Sequence, residues 1–188
     1  KATNLLEMCN SHEYATMMLE ANPEAYRSIF EKSVAEFGGN MENLQFNADT
    51  NWYDELLRTA MMTNHSLNIS GGTEKATYSA GMSYLAQDGI MDVENYYRRL
   101  NFRAALDYEA RKWLKVGFNG VFSNSQQQLP KNAAWQQAYN TPSIIPVYDD
   151  RRDDAVFPKK YTSPEQVGLT NNFNNPVATA NYYDNRNE

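Results

Sequence analysis

The sequence predicts a mainly β chain built on a long-stranded antiparallel sheet, with helical residues before the sheet and a long irregular connection after it. Three observations carry this reading. Four runs between residues 63 and 124 alternate apolar and polar residues, the period of a strand with one apolar face. Short turns join them in pairs, as antiparallel hairpins allow. Each run holds its alternation for roughly ten residues, against about five or six in an ordinary globular strand.

Composition narrows the setting. The 188 residues carry 17 Lys+Arg against 23 Asp+Glu, a net charge of −6. That balance argues against nucleic-acid binding, which needs a concentrated basic surface. No run drawn from Ala, Val, Ile, Leu, Met, Phe, Trp, Tyr and Cys exceeds three residues. The residues therefore predict neither a spanning helix, which takes about 20 apolar positions, nor the apolar core of a signal peptide. One cysteine, Cys9, leaves no internal disulfide and no thiolate-cluster zinc site. The chain is rich in Asn (22) and Tyr (13), side chains that hydrogen-bond or stack.

The elements follow in order. Residues 1–62 read as helical: Ser11 is placed to cap a helix through Ala21, and Asn22-Pro23-Glu24 is a start signal with proline at the first helical position. Tyr26, Ile29, Phe30, Val34 and Phe37 then form one stripe, and Gly38-Gly39 ends the helix. A third helix is expected over Trp52 to Ala60, capped by Asp49 or Thr50. The sheet occupies 63–124. After Leu67-Asn68-Ile69-Ser70 and a turn at Gly71 to Lys75, the second run sends Ala76, Tyr78, Ala80, Met82 and Tyr84 to one face. The third puts Leu100, Phe102, Ala104, Leu106 and Tyr108 opposite Asn101, Arg103, Ala105, Asp107 and Glu109. A turn near Ala110 to Lys112 leads to Leu114, Val116, Phe118, Gly120 and Phe122 against Lys115, Gly117, Asn119 and Ser123. Residues 125–175 lack a period, carry five prolines and the cluster Asp149 to Asp154, and read as a long polar loop. Residues 176–188 read as the start of a further strand.

Two settings fit those runs. About ten tilted residues cross a bilayer, charged residues suit a wet lumen, and Tyr78, Tyr84, Tyr108 and Phe122 stand where interfacial aromatics are expected in a membrane barrel. A one-sided sheet packed on a soluble core has the same alternation.

Signs of catalysis or metal binding are weak throughout. Cys9 and His12 are two ligands where a metal site needs three or four, and His65 falls in a strand. Gly71-Gly72 precedes a strand, not the helix N-terminus of a phosphate cradle. Asp149, Asp150, Asp153 and Asp154 read as a solvated charge cluster, since glycosidic cleavage needs two carboxyls at a set separation. The expectation is no catalytic residue, no metal, no cofactor and no enzyme activity.

Thr50-Asn51-Trp52-Tyr53-Asp54-Glu55 and Asn64-His65-Ser66-Leu67-Asn68-Ile69-Ser70-Gly71-Gly72-Thr73-Glu74-Lys75 resemble segments of the SusC/RagA family of TonB-dependent outer-membrane transporters. So do Tyr84 to Ile90, Tyr97 to Arg103 and Lys112 to Gly117, in matching order and spacing. The resemblance implies a piece from the start of a large, about 22-stranded plugged barrel. It implies periplasmic turns at Gly71–Lys75 and Ala110–Lys112, with 1–62 and 125–175 on the extracellular side. Tyr78, Met82, Phe102, Leu106, Val116 and Phe118 would then face outer-membrane lipid, and Tyr96, Tyr97, Trp135 and Tyr139 would meet ligand or lid. The family further implies import of an oligosaccharide or peptide across the outer membrane of a Gram-negative, Bacteroidota-like cell. A SusD-like surface lipoprotein would cap the barrel, and the TonB–ExbB–ExbD machinery would act through regions outside this sequence. The alternatives are a soluble all-β carbohydrate-binding module, using the same Tyr, Trp and Asn, and a hydrolase using the loop carboxylates.

Overall fold

The computed structural model describes residues 5–130, 132–151, 160–170, 173–182 and 186–187. It divides into a helical unit, formed by 1–58, 91–93 and 130–184, and a sheet unit, formed by 59–90, 94–129 and 185–188.

In the helical unit, helix α1 (Ser11–Ala21) begins at the residue expected to cap it. Asn10, not Ser11, is the N-cap: its Oδ1 accepts from Glu13 N at 2.8 Å, and its own N–H donates to the Glu13 carboxylate at 3.1 Å. This reciprocal pair satisfies two donors left open by the helix start. Helix α2 (Pro23–Phe37) follows the Asn-Pro signal, with Ala25 N donating to Asn22 Oδ1 at 3.1 Å. It stops where Gly38 and Gly39 take φ values of 87° and 138°, a region that side-chain-bearing residues avoid. A two-residue hairpin, β1 (Gly39–Asn40) with β2 (Gln45–Phe46), follows.

Helix α3 (Trp52–Leu56) is shorter than expected and is capped by Asn51, whose Oδ1 accepts from Tyr53 N. The two anticipated caps do other work. Asp49 accepts from Ser11 N at 2.7 Å, and Thr50 donates through Oγ1 to Ile145 O at 2.6 Å.

The largest correction concerns 125–175. This stretch holds helix α4 (Asn132–Asn140) and a 3-10 turn (Pro164–Val167), and it supplies much of the unit's core. Ile144, Ile145 and Val167 are fully buried, with Ala134, Ala138, Val147, Tyr161 and Leu169 beside them. They pack with Ala15, Phe30, Trp52, Leu56 and Met91. Outside α4 this core comes from short apolar pieces between prolines and polar residues, a pattern without a period. The strand expected from Pro176 is likewise a helix at first, α5 (Pro176–Asn181), because Asn175 accepts from Val177 N and Ala178 N while Pro176 takes the first helical position.

The sheet unit contains β3 (Met62–Thr73), β4 (Ala76–Asp88), β5 (Tyr96–Arg111), β6 (Leu114–Gln128) and the short β7 (Arg186–Asn187), antiparallel and in sequence order. The four long strands have 12, 13, 16 and 15 residues, more than the alternation alone outlined. Two-residue turns join β3 to β4 and β5 to β6. A register shift between Glu109 and Arg111 leaves Ala110 unpaired, so the second turn is Lys112-Trp113.

Candidate functional site

Register turns the alternation into two chemically distinct surfaces. On one face, Leu67, Met82, Phe102 and Phe122 form a row across four strands, and Gly71, Tyr78, Leu106 and Phe118 form another. Tyr84 with Leu100 and Tyr108 with Val116 border them. These large side chains stand in the open, from 38% exposed at Tyr84 and Leu100 to 61% at Phe118. All six residues expected on the apolar side, Tyr78, Met82, Phe102, Leu106, Val116 and Phe118, share this face. From Ala76 to Tyr84 the band runs about 27 Å along the strand, or about 20 Å after a 40° tilt, and Ala86 and Leu114 extend it at either end. Tyr78 lies over Gly71 and Phe118 over Gly120, so that rings cover positions that lack a side chain.

The opposite face is polar and small. Ser66, Ser83, Asn101 and Ser123 align in one row, where Asn101 Nδ2 donates to Ser83 Oγ at 3.1 Å and Ser123 Oγ donates to Asn101 Oδ1 at 2.7 Å. The adjacent row holds Asn68, Gly81, Arg103 and Val121, and Arg103 Nη2 donates across β4 to Asn68 Oδ1 at 3.1 Å. Ser66, Asn68, Gly81, Ser83, Asn101, Arg103 and Val121 border a depression of about 350 Å³. Nearer the turns, Lys115 Nζ stands 3.7 Å from the Glu109 carboxylate. Sequence reading did not single out the Arg103–Asn68 contact. The available signal was Gly81, a glycine inside a strand, which often marks a close approach.

The four aromatics expected to meet ligand or lid do not form one cluster. Tyr96 and Tyr97 are half-buried in β5, where the Arg98 guanidinium lies 4.7 Å from the Tyr96 ring centroid. Trp135 and Tyr139 occur in α4, one turn apart. Trp135 packs on Tyr53 with ring centroids 5.6 Å apart, while Tyr139 is 53% exposed at a depression of about 370 Å³ that Tyr14 and Asn140 also line. Burial, with Tyr26 nearby, pushes the Tyr14 phenol up to about 12, so it stays neutral.

The acidic cluster also differs from its expected solvated state. Asp149 is buried and accepts from Arg151 Nε at 3.0 Å, Arg151 N at 3.1 Å and Gln166 Nε2 at 3.2 Å. The Arg151 hydrogen bond holds its carboxyl below the usual range, because these donors replace water around the charged form. Arg151 also reaches Glu36 at 3.4 Å. Asp153 and Asp154 lie outside the described residues. Among the described residues no three His, Cys, Asp or Glu side chains gather as a metal site would require, and His12 Nδ1 lies 3.2 Å from Leu44 O.

Comparison with known proteins bears on these surfaces. No family model matches the chain. TonB-dependent receptor SusC of Bacteroides thetaiotaomicron is 29% identical over 133 residues, 69% of this chain and 13% of the receptor. TonB-dependent receptor P3 of Formosa agariphila is 27% identical over 116 residues, 62% of this chain and 10% of the receptor. TonB-dependent receptor P26 of the same organism is 28% identical over 130 residues, 69% and 12% of the two chains. The chain thus spans about a tenth of the length of the curated relatives it matches. The resemblance to SusC-like TonB-dependent receptors is borne out, and the antiparallel sheet is consistent with a β-rich piece of such a barrel. All three relatives are named as receptors rather than enzymes.

Proposed function

We propose, from the kinship of this chain with SusC-like TonB-dependent receptors, that it forms part of the barrel wall and an extracellular loop assembly of an outer-membrane nutrient importer. The observation that carries this is the pair of opposed sheet faces. One bears rows of large, open apolar side chains at Tyr78, Met82, Phe102, Leu106, Val116 and Phe118, and the other bears Ser, Asn and Arg. Such a sheet suits lipid on one side and a wet lumen on the other. The strands' surplus length suits a wall that projects past the hydrocarbon layer into water.

In this reading the helical unit lies on the extracellular side, and its buried core gives the loops a fixed shape for contact with ligand and lid. Tyr139, exposed beside Asn140, is better placed for such a contact than Trp135, which packs on Tyr53. The cargo is an oligosaccharide or a peptide, a SusD-like lipoprotein caps the barrel, and TonB with ExbB and ExbD supplies the work of opening. The segment contributes wall and loop, with no covalent chemistry.

The test is site-directed spin labelling of the full-length receptor in lipid vesicles. Labels at Phe102, Val116 and Phe118 are expected to collide with lipid-soluble oxygen more than with a water-soluble nickel chelate, and labels at Asn101, Gly117 and Asn119 the reverse. Equal accessibility on both faces, or a dry protein environment on the apolar one, would remove the barrel-wall reading.

A further inference from the structure

The apolar face of β5 ends in an arginine on each side. At one end Arg98 pairs with Ala86 on β4 and Gln126 on β6, one row beyond Leu100 and Tyr84, so it shares the apolar face. Its guanidinium lies 4.7 Å from the ring centroid of Tyr96, the next residue on that side, and the ring orients the charge. At the other end the register shift at Ala110 re-aims the chain. Unbroken alternation would set Arg111 beside Glu109 on the polar face. The extra residue pairs Arg111 with Leu114 instead, and it joins Tyr108 and Val116 on the apolar one. Both arginines are exposed.

Their separation is that of the two edges of a bilayer. The β6 partners Gln126 and Leu114 are twelve residues apart, about 41 Å along the strand or about 31 Å after a 40° tilt. The apolar band of an outer-membrane barrel is about 25 Å tall, so both backbones stand just outside it. From there an arginine lays its stem along apolar surface and carries its guanidinium to headgroup level. The planar fork pairs in two-point fashion with a phosphate. Trp113, 81% exposed in the turn beyond Arg111, sets an amphipathic ring at the same level.

We propose that Arg98 and Arg111 are binding sites for lipid phosphate, one in each leaflet, which together fix the depth at which β5 crosses the membrane. The ligand is a membrane lipid whose acyl chains lie against the apolar rows between the two sites. A free phosphate ion would match either guanidinium but not the apolar surface that joins them. The proposal rests on the reading of this face as the lipid side of a barrel wall.

The test uses the full-length receptor in vesicles of phosphatidylethanolamine and phosphatidylglycerol, with three photoreactive lipids as probes. One is phosphatidylethanolamine with a diazirine on its headgroup, one is a phosphate-free digalactosyl lipid with the same diazirine, and one carries the diazirine at an acyl-chain end. Cross-links are mapped by mass spectrometry. The phosphate-bearing headgroup is expected to label residues 96–99 and 110–113 at least about 5-fold more than the galactolipid. Arg98→Gln removes that excess at the first edge alone and Arg111→Gln at the second alone, while Arg→Lys at either position keeps part of it. Equal labelling by the two headgroups overturns the proposal, as does an excess that survives both Gln substitutions. Edges that neither headgroup labels, beside an apolar face that the acyl-chain probe does label, assign the arginines to a protein neighbour and also overturn it. The acyl-chain probe separates the two levels. If it fails to label Phe102 and Phe118 in the unmodified receptor, the lipid-face reading falls and takes the phosphate sites with it. If it labels both while the headgroup excess is missing, only the phosphate sites fall. Should a Gln variant fail to insert, seen as lost acyl-chain labelling, the Lys variant and the headgroup comparison on the unmodified receptor decide.

Discussion

The helical unit and the sheet unit solve the burial of apolar surface in opposite ways. Every apolar residue that is buried among the described residues belongs to the helical unit, from Ala15 and Phe30 to Val177 and Ala180. The sheet unit instead leaves Phe102, Leu106, Phe118 and Phe122 open, although its backbone is paired along four strands. A unit with an internal core carries its own hydrophobic stabilisation. A sheet with both faces open depends on what lies against each face, and the proposed surroundings are lipid on one and a wet lumen on the other.

The largest expected effect separates the units directly. Phe30 is fully buried and contacts Tyr14, Tyr26 and Phe46, so Phe30→Ala is expected to destabilise the helical unit by about 3–5 kcal/mol. Hydrogen exchange should show faster exchange in α1 and α2 with β4 and β5 unchanged. Equal acceleration in the strands would mean that the two units unfold together.

Next comes the contrast between the two sheet faces. Ala104 and Ala105 are neighbours in β5 on opposite faces, Ala104 beside Ala80 and Gly120, and Ala105 beside Ser79 and Asn119. Ala104→Lys is expected to cost about 2–4 kcal/mol in lipid, and Ala105→Lys within about 0.5 kcal/mol, by denaturant unfolding in vesicles. Equal costs would break the comparison at its centre.

Two smaller effects sharpen the account of the helical unit. Asn175 is buried, caps α5 and donates through Nδ2 to Val147 O at 2.8 Å and to Thr162 O at 3.2 Å. Asn175→Ala is expected to cost about 1–3 kcal/mol, since it removes the cap and leaves buried carbonyls unsatisfied. The change should be confined to exchange in α5 and around Val147 and Thr162. The smallest effect is the pH dependence of Asp149. Its folded carboxyl titrates below the usual value of about 3.9. Its contribution to stability is therefore complete above that value and is lost as pH falls toward the lower folded one. Asp149→Asn should flatten the acid limb of the helical unit's stability below about pH 4, leaving the neutral region with the same slope.

Legibility followed the kind of signal each region carries. The strands were legible because every second residue repeats the same constraint, and Tyr78, Met82, Phe102, Leu106, Val116 and Phe118 emerge on one face as the period requires. Strand ends were less so, since Gln126 to Gln128 and Tyr96 to Arg98 pair without apolar alternation. The core of 125–175 was illegible because Ile144-Ile145, Val147, Val167 and Leu169 are short apolar pieces broken by prolines and polar residues, too few in any one place to set a period. Helix α5 was misread for a different reason: Val177-Ala178-Thr179-Ala180 alternates over too few residues, while the Asn175-Pro176 start signal, the same pair that opens α2, was already present. The Arg103–Asn68 contact needed register, since nothing local links Asn68 to a residue 35 positions away.

The residues alone therefore determined where the strands run, which side chains share a face, and the resemblance to SusC-like receptors, because these depend on local period and on motifs read in order. Tertiary structure alone decided that the proline-rich stretch contains a packed core, that Asp149 is buried and paired, and that Arg103 reaches Asn68 over Gly81. Each of those depends on which distant residues meet, and that is set when strands choose a register and isolated apolar side chains find one another on leaving water.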